Sequence, residues 1–81
     1  MTKQEISEKV NTFLIEKLEI SQEQINPDAE LKRDLGLTSL DAVETVLFIK
    51  RNFGFMPQNE DIKSFITLDD IYEYISTHQR T

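Results

Sequence analysis

The chain has 81 residues, a formal net charge of -6 at pH 7 and no cysteine. This length predicts one small domain, residues 1–81, without room for a second domain or a deep catalytic cleft. The lack of cysteine excludes disulfides, thiolate metal sites and a cysteine nucleophile, and a single histidine, His78, cannot form a metal cluster by itself.

The negative charge is concentrated in the middle of the chain. Residues 21–45 hold six acidic and two basic side chains, whereas the flanking segments are nearly balanced. Such a surface repels nucleic acids and anionic membranes and attracts basic protein surfaces. No apolar run approaches the roughly 20 residues of a membrane span, and the first residues contain no apolar signal core. We therefore expect a cytoplasmic protein that binds other proteins.

The first segment, residues 2–20, predicts an amphipathic helix. Thr2 and Glu5 have the spacing of a capping box, which would satisfy free N–H groups at the helix start. Apolar residues recur at steps of three and four, as a buried helix face requires. They are Ile6, Val10, Phe13, Leu14 and Leu18.

The next segment, residues 21–37, has no sustained hydrophobic period, and Pro27 disfavours a helix there. It nevertheless contains several apolar side chains, namely Ile25, Leu31, Leu35 and Leu37. Loops of this length are usually functional or disordered. The apolar anchors predict an ordered loop that is pinned across the other elements.

The segment TSLDAVETVLFIKRNFG, residues 38–54, predicts the second helix. Thr38 and Asp41 have capping spacing, and Gly54 suits the C-terminal stop. At the helical period, Phe48 falls among polar residues. The predicted core face consists of Ala42, Val43, Val46, Leu47, Ile49 and Phe53, with Leu40 at its margin.

Two further helices complete the predicted fold. Asn59 could cap a short helix whose Ile62 and Phe65 face inward. Thr67 and Asp70 repeat the capping spacing before a last helix. The apolar stripe of that helix is Leu68, Ile71, Tyr72 and Ile75. The elements predict an all-α fold, a small four-helix bundle with three main helices, one short helix and a long first loop. A monomer is expected, because no large apolar face is left over.

No catalytic arrangement is evident, since Ser39 has no histidine partner to activate it and no paired carboxylates mark a cleft. We therefore expect a protein that is not an enzyme. A serine at a helix start has another use, because the helix dipole and free N–H groups there favour a phosphate on its hydroxyl. The alternative is that Ser39 or Thr38 merely caps the helix.

The motif DLGLTSLDAVE, residues 34–44, resembles the attachment motif of acyl carrier proteins, whose usual form is D-L-G-x-D-S-L. The resemblance extends over nearly the whole chain, including its length, acidity, long first loop and closing ITLDDIYEYI segment. It implies that Ser39 receives 4′-phosphopantetheine from coenzyme A through a Mg²⁺-dependent phosphopantetheinyl transferase. The thiol of this covalent arm would hold acyl intermediates as thioesters for fatty-acid, polyketide-like or related specialised synthesis.

The resemblance also implies an acyl-binding region and a docking surface. The candidate acyl-lining residues are Leu47, Ile62, Phe65 and Leu68. The second helix would dock the transferase and the acyl-transferring and chain-elongating enzymes. Its candidate partner-binding residues are Asp41, Glu44, Phe48 and Arg51.

The chain departs from the family pattern at two places. Thr38 stands where the family usually has Asp, which keeps a helix cap but removes a charge beside Ser39. Lys50 and Arg51 stand where fatty-acid carriers usually have acids, which should alter the choice of partner enzymes. Two alternatives stay open: a stand-alone aminoacyl or peptidyl carrier, and an unmodified helical interaction module.

Overall fold

The computed structural model describes residues 1–79 and contains four α-helices within that range. Helix α1 spans Lys3–Lys17, α2 spans Ser39–Phe53, α3 spans Asn59–Lys63 and α4 spans Leu68–His78. One 3-10 turn, Gln22–Gln24, lies in the long connection between α1 and α2. The predicted all-α bundle of three main helices and one short helix is confirmed.

The three long helices each begin with a reciprocal capping box, in which side chain and backbone exchange hydrogen bonds across three residues. The capping pairs are those predicted, namely Thr2 with Glu5, Thr38 with Asp41, and Thr67 with Asp70. The prediction that Asn59 caps α3 is wrong. The extended backbone ends one residue earlier, at Gln58, so that Asn59 is already the first helical residue.

The core is formed mainly by α1 and α4, which pack directly against each other. Both predicted apolar stripes face inward, and their fully enclosed members include Ile6, Leu14 and Ile75. Tyr72 is also buried, and its hydroxyl donates a hydrogen bond to Asn11 Oδ1. Burial disfavours the charged phenolate and raises the pKa of Tyr72 to about 12.

The long loop before α2 is pinned across the bundle, as predicted. Three of its side chains, Ala29, Leu31 and Leu35, are buried in the core. The loop is also tied to the start of α4 by backbone hydrogen bonds, which the sequence did not predict. Leu31 N–H donates to the Ile66 carbonyl at 2.9 Å, and Leu68 N–H donates to the Ala29 carbonyl at 3.0 Å. The loop therefore has a fixed position beside α3 and α4.

Asp70 stabilises the backbone where this loop meets the start of α4. Its Oδ2 atom accepts hydrogen bonds from the backbone N–H groups of Ile66 and Thr67, both at 2.9 Å. The bonds from Thr67 and Ile66 hold the pKa of Asp70 below its ordinary value of 3.8. A carboxyl whose pKa is lower in the folded chain stabilises the fold above its unfolded-state pKa. This stabilisation is lost as the pH falls through the folded-state value.

We expect the Asp70→Asn variant to melt at a lower temperature than the parent at neutral pH, because an amide cannot supply the same charge-assisted acceptor. The difference should narrow as the pH falls from 3.8 through the lower folded-state pKa, because the folded parent then loses its own carboxylate. Thermal unfolding followed by circular dichroism over this pH range measures both effects. Asp28→Asn, at an exposed loop position, is the matched control. A difference that does not change with pH would contradict the prediction.

Candidate functional site

A single helical turn ends two residues before the cap of α2 and directs the chain into that helix. Gly36 N–H donates to the Lys32 carbonyl at 3.2 Å, which is the hydrogen bond of an αL helix end, and Leu37 N–H donates to the Leu31 carbonyl at 2.9 Å. Gly36 has a φ of 65°, in the left-handed region that glycine adopts without a Cβ clash. The glycine of the motif therefore has a backbone role.

We expect Gly36→Ala to lower the free energy of unfolding by about 1 kcal/mol, because the left-handed conformation costs roughly that much for a residue with a Cβ. An added Cβ would meet no atom within 4 Å, so the loss is conformational rather than steric. Urea unfolding measures the change. Gly36→Asn should lose less, since Asn tolerates this conformation better. Equal stability of Gly36→Ala and the parent would argue against this role.

Asp34, the first acid of the motif, closes the same turn. Its Oδ2 atom accepts the Glu30 backbone N–H at 2.8 Å, and its Oδ1 atom accepts from Arg33 Nε at 3.2 Å. The hydrogen bond from Glu30 and the neighbouring guanidinium of Arg33 hold the pKa of Asp34 below its ordinary value. Asp34 therefore fixes the backbone that leads to α2.

Ser39 is the first residue of α2, and its side chain is exposed. Its neighbours cap the helix: Thr38 Oγ1 accepts the Asp41 N–H at 3.3 Å, and Asp41 Oδ2 accepts the Thr38 N–H at 3.0 Å. The Ser39 hydroxyl is consequently not needed to start the helix. It lies at the positive end of the helix dipole, where a negatively charged group is stabilised.

A cleft of about 250 Å³ lies beside Ser39. Its exposed lining residues, Lys32, Thr38, Ser39 and Lys63, mark the solvent side, which we call the opening, whereas its buried lining residues, among them Ile49 and Ile71, mark the inner end. Apolar side chains from α2, from α3 and the residues after it, and from the loop before α2 make up much of the wall, among them Leu31, Leu37, Val46, Ile62 and Phe65. A polar opening with an apolar interior suits a group that is polar near Ser39 and apolar farther in.

Two of the four residues predicted to line an acyl-binding region, Ile62 and Phe65, border this cleft. The other two, Leu47 and Leu68, do not border it. Leu47 lies in a groove between α1 and α2, and Leu68 is fully buried in the core. The reason is the rotation of α2, which turns Val46 and Ile49 rather than Leu47 toward α3. The apolar loop residues of this cleft were recognised in the sequence as anchors, but not as part of a site.

The predicted core face of α2 is wrong in part. Leu40, Val43 and Leu47 are 68%, 55% and 39% exposed, whereas Thr45 and Ile49 are buried. Thr45 tolerates burial because its hydroxyl donates to the Asp41 carbonyl at 2.8 Å, within the same helix. Helix α2 thus has a second apolar stripe on its outer side, in addition to the stripe in the core.

The placement of Phe48 on the polar face is also wrong. Phe48 is half-buried and stacks on Phe13 of α1, with 4.4 Å between the ring centroids, while Phe53 meets its edge at 5.9 Å. Glu44 and Arg51 remain exposed and border the groove between α1 and α2 together with Phe48. Replacing Phe48 would therefore disturb helix packing, so it is not a clean probe of partner binding.

Residues 1–79 contain neither a metal-binding cluster nor a membrane span. No group of three or more His, Asp or Glu side chains in this range is arranged to hold a metal ion. No helix in the same range is long and apolar enough to cross a membrane.

Comparison with known proteins gives a consistent result. Residues 8–75 match the family model described as the phosphopantetheine attachment site. The chain is 36% identical over 73 residues to the acyl carrier protein of Phytoplasma mali (strain AT), covering 90% of this chain and 87% of that protein. It is 32% identical over 75 residues to the acyl carrier protein of Chlorobium phaeobacteroides (strain DSM 266 / SMG 266 / 2430), covering 93% and 96%. It is 30% identical over 74 residues to that of Nitratidesulfovibrio vulgaris (strain DP4), covering 91% and 97%.

The helical fold and the family match define a phosphopantetheine-carrying domain. The chain belongs to the acyl carrier protein family, whose cofactor is covalently attached 4′-phosphopantetheine. The site residues fit such a group. Ser39 offers an exposed hydroxyl that is free of capping duty, and the adjacent cleft has a polar opening and an apolar interior.

Proposed function

We propose that Ser39 is the attachment residue and that this single domain, residues 1–81, carries acyl intermediates without catalysing a reaction. The observation that carries this proposal is the exposed Ser39 hydroxyl at the start of α2, on the opening of the cleft. A separate Mg²⁺-dependent transferase joins Ser39 Oγ to the phosphorus of the arm, and the hydroxyl proton is released. The pyrophosphate bond of coenzyme A breaks, and adenosine 3′,5′-bisphosphate leaves. When bound, the arm supplies the thiol that holds the acyl group as a thioester.

The cleft supports an aliphatic cargo. Its inner end is formed by the fully or almost fully buried side chains Ile49 and Ile71, and Val46 and Phe65 are among its wall residues. An aliphatic chain that enters such a site leaves water and gains about 25 cal/mol for each Å² of apolar surface covered. Acyl groups of fatty-acid, polyketide-like or related specialised synthesis have this character.

The outer side of α2 supports a docking role for that helix. Its exposed stripe of Leu40, Val43 and Leu47 begins next to Ser39. Exposed carboxylate and cationic side chains flank the two ends of the helix, with Glu44 in its first half and Lys50 and Arg51 in its last turn. A partner enzyme would present apolar side chains to the stripe. It would place basic side chains opposite Glu44 and acidic side chains opposite Lys50 and Arg51. Asp41 serves mainly as a helix cap, and Phe48 packs α2 against Phe13 of α1.

The proposed function is tested by incubating the protein with coenzyme A, Mg²⁺ and a broad-specificity phosphopantetheinyl transferase. We expect the intact mass to rise by one phosphopantetheine, and peptide mapping to locate the gain on the peptide that contains Ser39. An unchanged mass would contradict the carrier role and favour an unmodified helical interaction module.

A further inference from the structure

Two lysines lie at the opening of the cleft that Ser39 borders. Lys32 belongs to the helical turn before α2, and Lys63 lies in the last turn of α3. Both side chains are exposed. The backbone of Lys32 is fixed, because its carbonyl accepts the Gly36 N–H at 3.2 Å. The tertiary fold therefore brings two cations from separate elements to one opening, together with the modified residue.

Neither of these lysines is engaged in a direct ion pair within residues 1–79. In the part of the chain that the structure describes, the ion pairs with N–O distances of 4.0 Å or less involve Lys3 and Arg33 and neither lysine of the opening. Both ammonium groups are therefore available to pair with an anion that is added at this cleft. Lysine binds phosphate as a point charge at the end of a long flexible stem.

We propose that Lys32 and Lys63 form a clamp that holds the phosphodiester of the arm on Ser39. This inference rests on the proposed attachment at Ser39, which places a permanent negative charge directly at the opening. The clamp restricts the base of the arm and favours entry of its far end into the apolar interior. A carboxylate on the cargo has the same charge, so the test uses the arm with a free thiol, where the phosphodiester is the one anion added.

The test compares melting temperatures of the unmodified and the modified protein at low ionic strength. For the parent, we expect modification to raise the melting temperature by about 3 °C, the size that one or two exposed ion pairs give in a domain of this length. The double variant Lys32→Gln, Lys63→Gln should lose this rise. The control Lys9→Gln, Lys17→Gln removes the same charge from exposed positions of α1 outside the cleft, and it should keep the rise in melting temperature. All four lysines are exposed, so each variant should fold.

Phosphorus NMR supplies a readout that does not depend on stability. The phosphodiester resonance of the modified parent should move between low salt and roughly 1 M salt, where charge interactions are screened. The phosphodiester resonance of the modified double variant should stay nearly constant over the same change in salt. The clamp alone would be overturned if the parent and the double variant showed the same rise in melting temperature and the same salt-dependent shift. It would also be overturned if the control variant lost the rise as completely as the double variant. A parent that gains no mass with the transferase would overturn the proposed function and the clamp together.

Discussion

Replacing Ser39 with Ala is expected to abolish attachment of phosphopantetheine while leaving the melting temperature close to that of the parent. The chemical reason is that alanine lacks the Oγ atom that would bond to the phosphorus of the arm, while the neighbouring Thr38 hydroxyl is engaged in capping the helix. The structural reason is that Ser39 is exposed and that Thr38 and Asp41 exchange the capping hydrogen bonds without it. Surface changes of this kind usually alter the free energy of unfolding by less than about 0.5 kcal/mol.

Intact mass after transferase treatment and thermal unfolding measure the two parts of this prediction. Ser21→Ala is a suitable control, because Ser21 is another exposed serine that precedes a helical turn. It should gain the full mass of one arm. Modification of the Ser39→Ala protein would show that the arm is attached elsewhere. A large fall in its melting temperature would show that the serine has a role in the fold.

Replacing Ile49 with Ala is expected to cost about 3 kcal/mol of stability, in the middle of the range for a large aliphatic side chain removed from a core. Ile49 is fully buried, lies on the inward stripe of α2 and also forms the inner end of the cleft. The total stability of a small domain is roughly 5–15 kcal/mol. The variant should therefore unfold at a much lower urea concentration than the parent.

Leu47→Ala provides the matched comparison, since it shortens an aliphatic side chain of similar size two residues away on the same helix. Leu47 is 39% exposed on the outer side of α2, so we expect a loss of about 1 kcal/mol, well below that of Ile49→Ala. Urea unfolding measures the loss of stability in each variant, and the difference between the two losses tests which face of α2 is buried. If α2 is a docking surface, Leu47→Ala should also slow modification by the transferase. Equal losses of stability would contradict the orientation of α2, with Ile49 inward and Leu47 outward.

Thr38 illustrates how a departure from the family motif is accommodated. Its hydroxyl accepts the Asp41 N–H that an aspartate at this position would accept, so that helix α2 still begins with Ser39 exposed. What changes is the charge next to the attachment residue. The substitution therefore leaves the local structure intact and bears on recognition by the transferase.

The local features of this protein were determined by the sequence alone. The capping pairs, the apolar stripes of α1 and α4 and the position of Ser39 at a helix start all follow from residues within a few positions of each other. Hydrogen bonds of a capping box and the period of a helix act over one or two turns. The attachment motif can be recognised from its residues for the same reason, because it too is a short continuous segment.

The tertiary structure decided the rotation of α2 and the composition of the cleft. Helix α2 has apolar residues on two sides, so that its period is consistent with more than one inward face, and a buried threonine marks the face that the fold uses. Phe48 stacks on Phe13, and Lys32 and Lys63 line the same cleft, although the two residues of each pair are far apart in sequence. Such contacts depend on how α1, α3 and the pinned loop pack around α2, which no local pattern specifies.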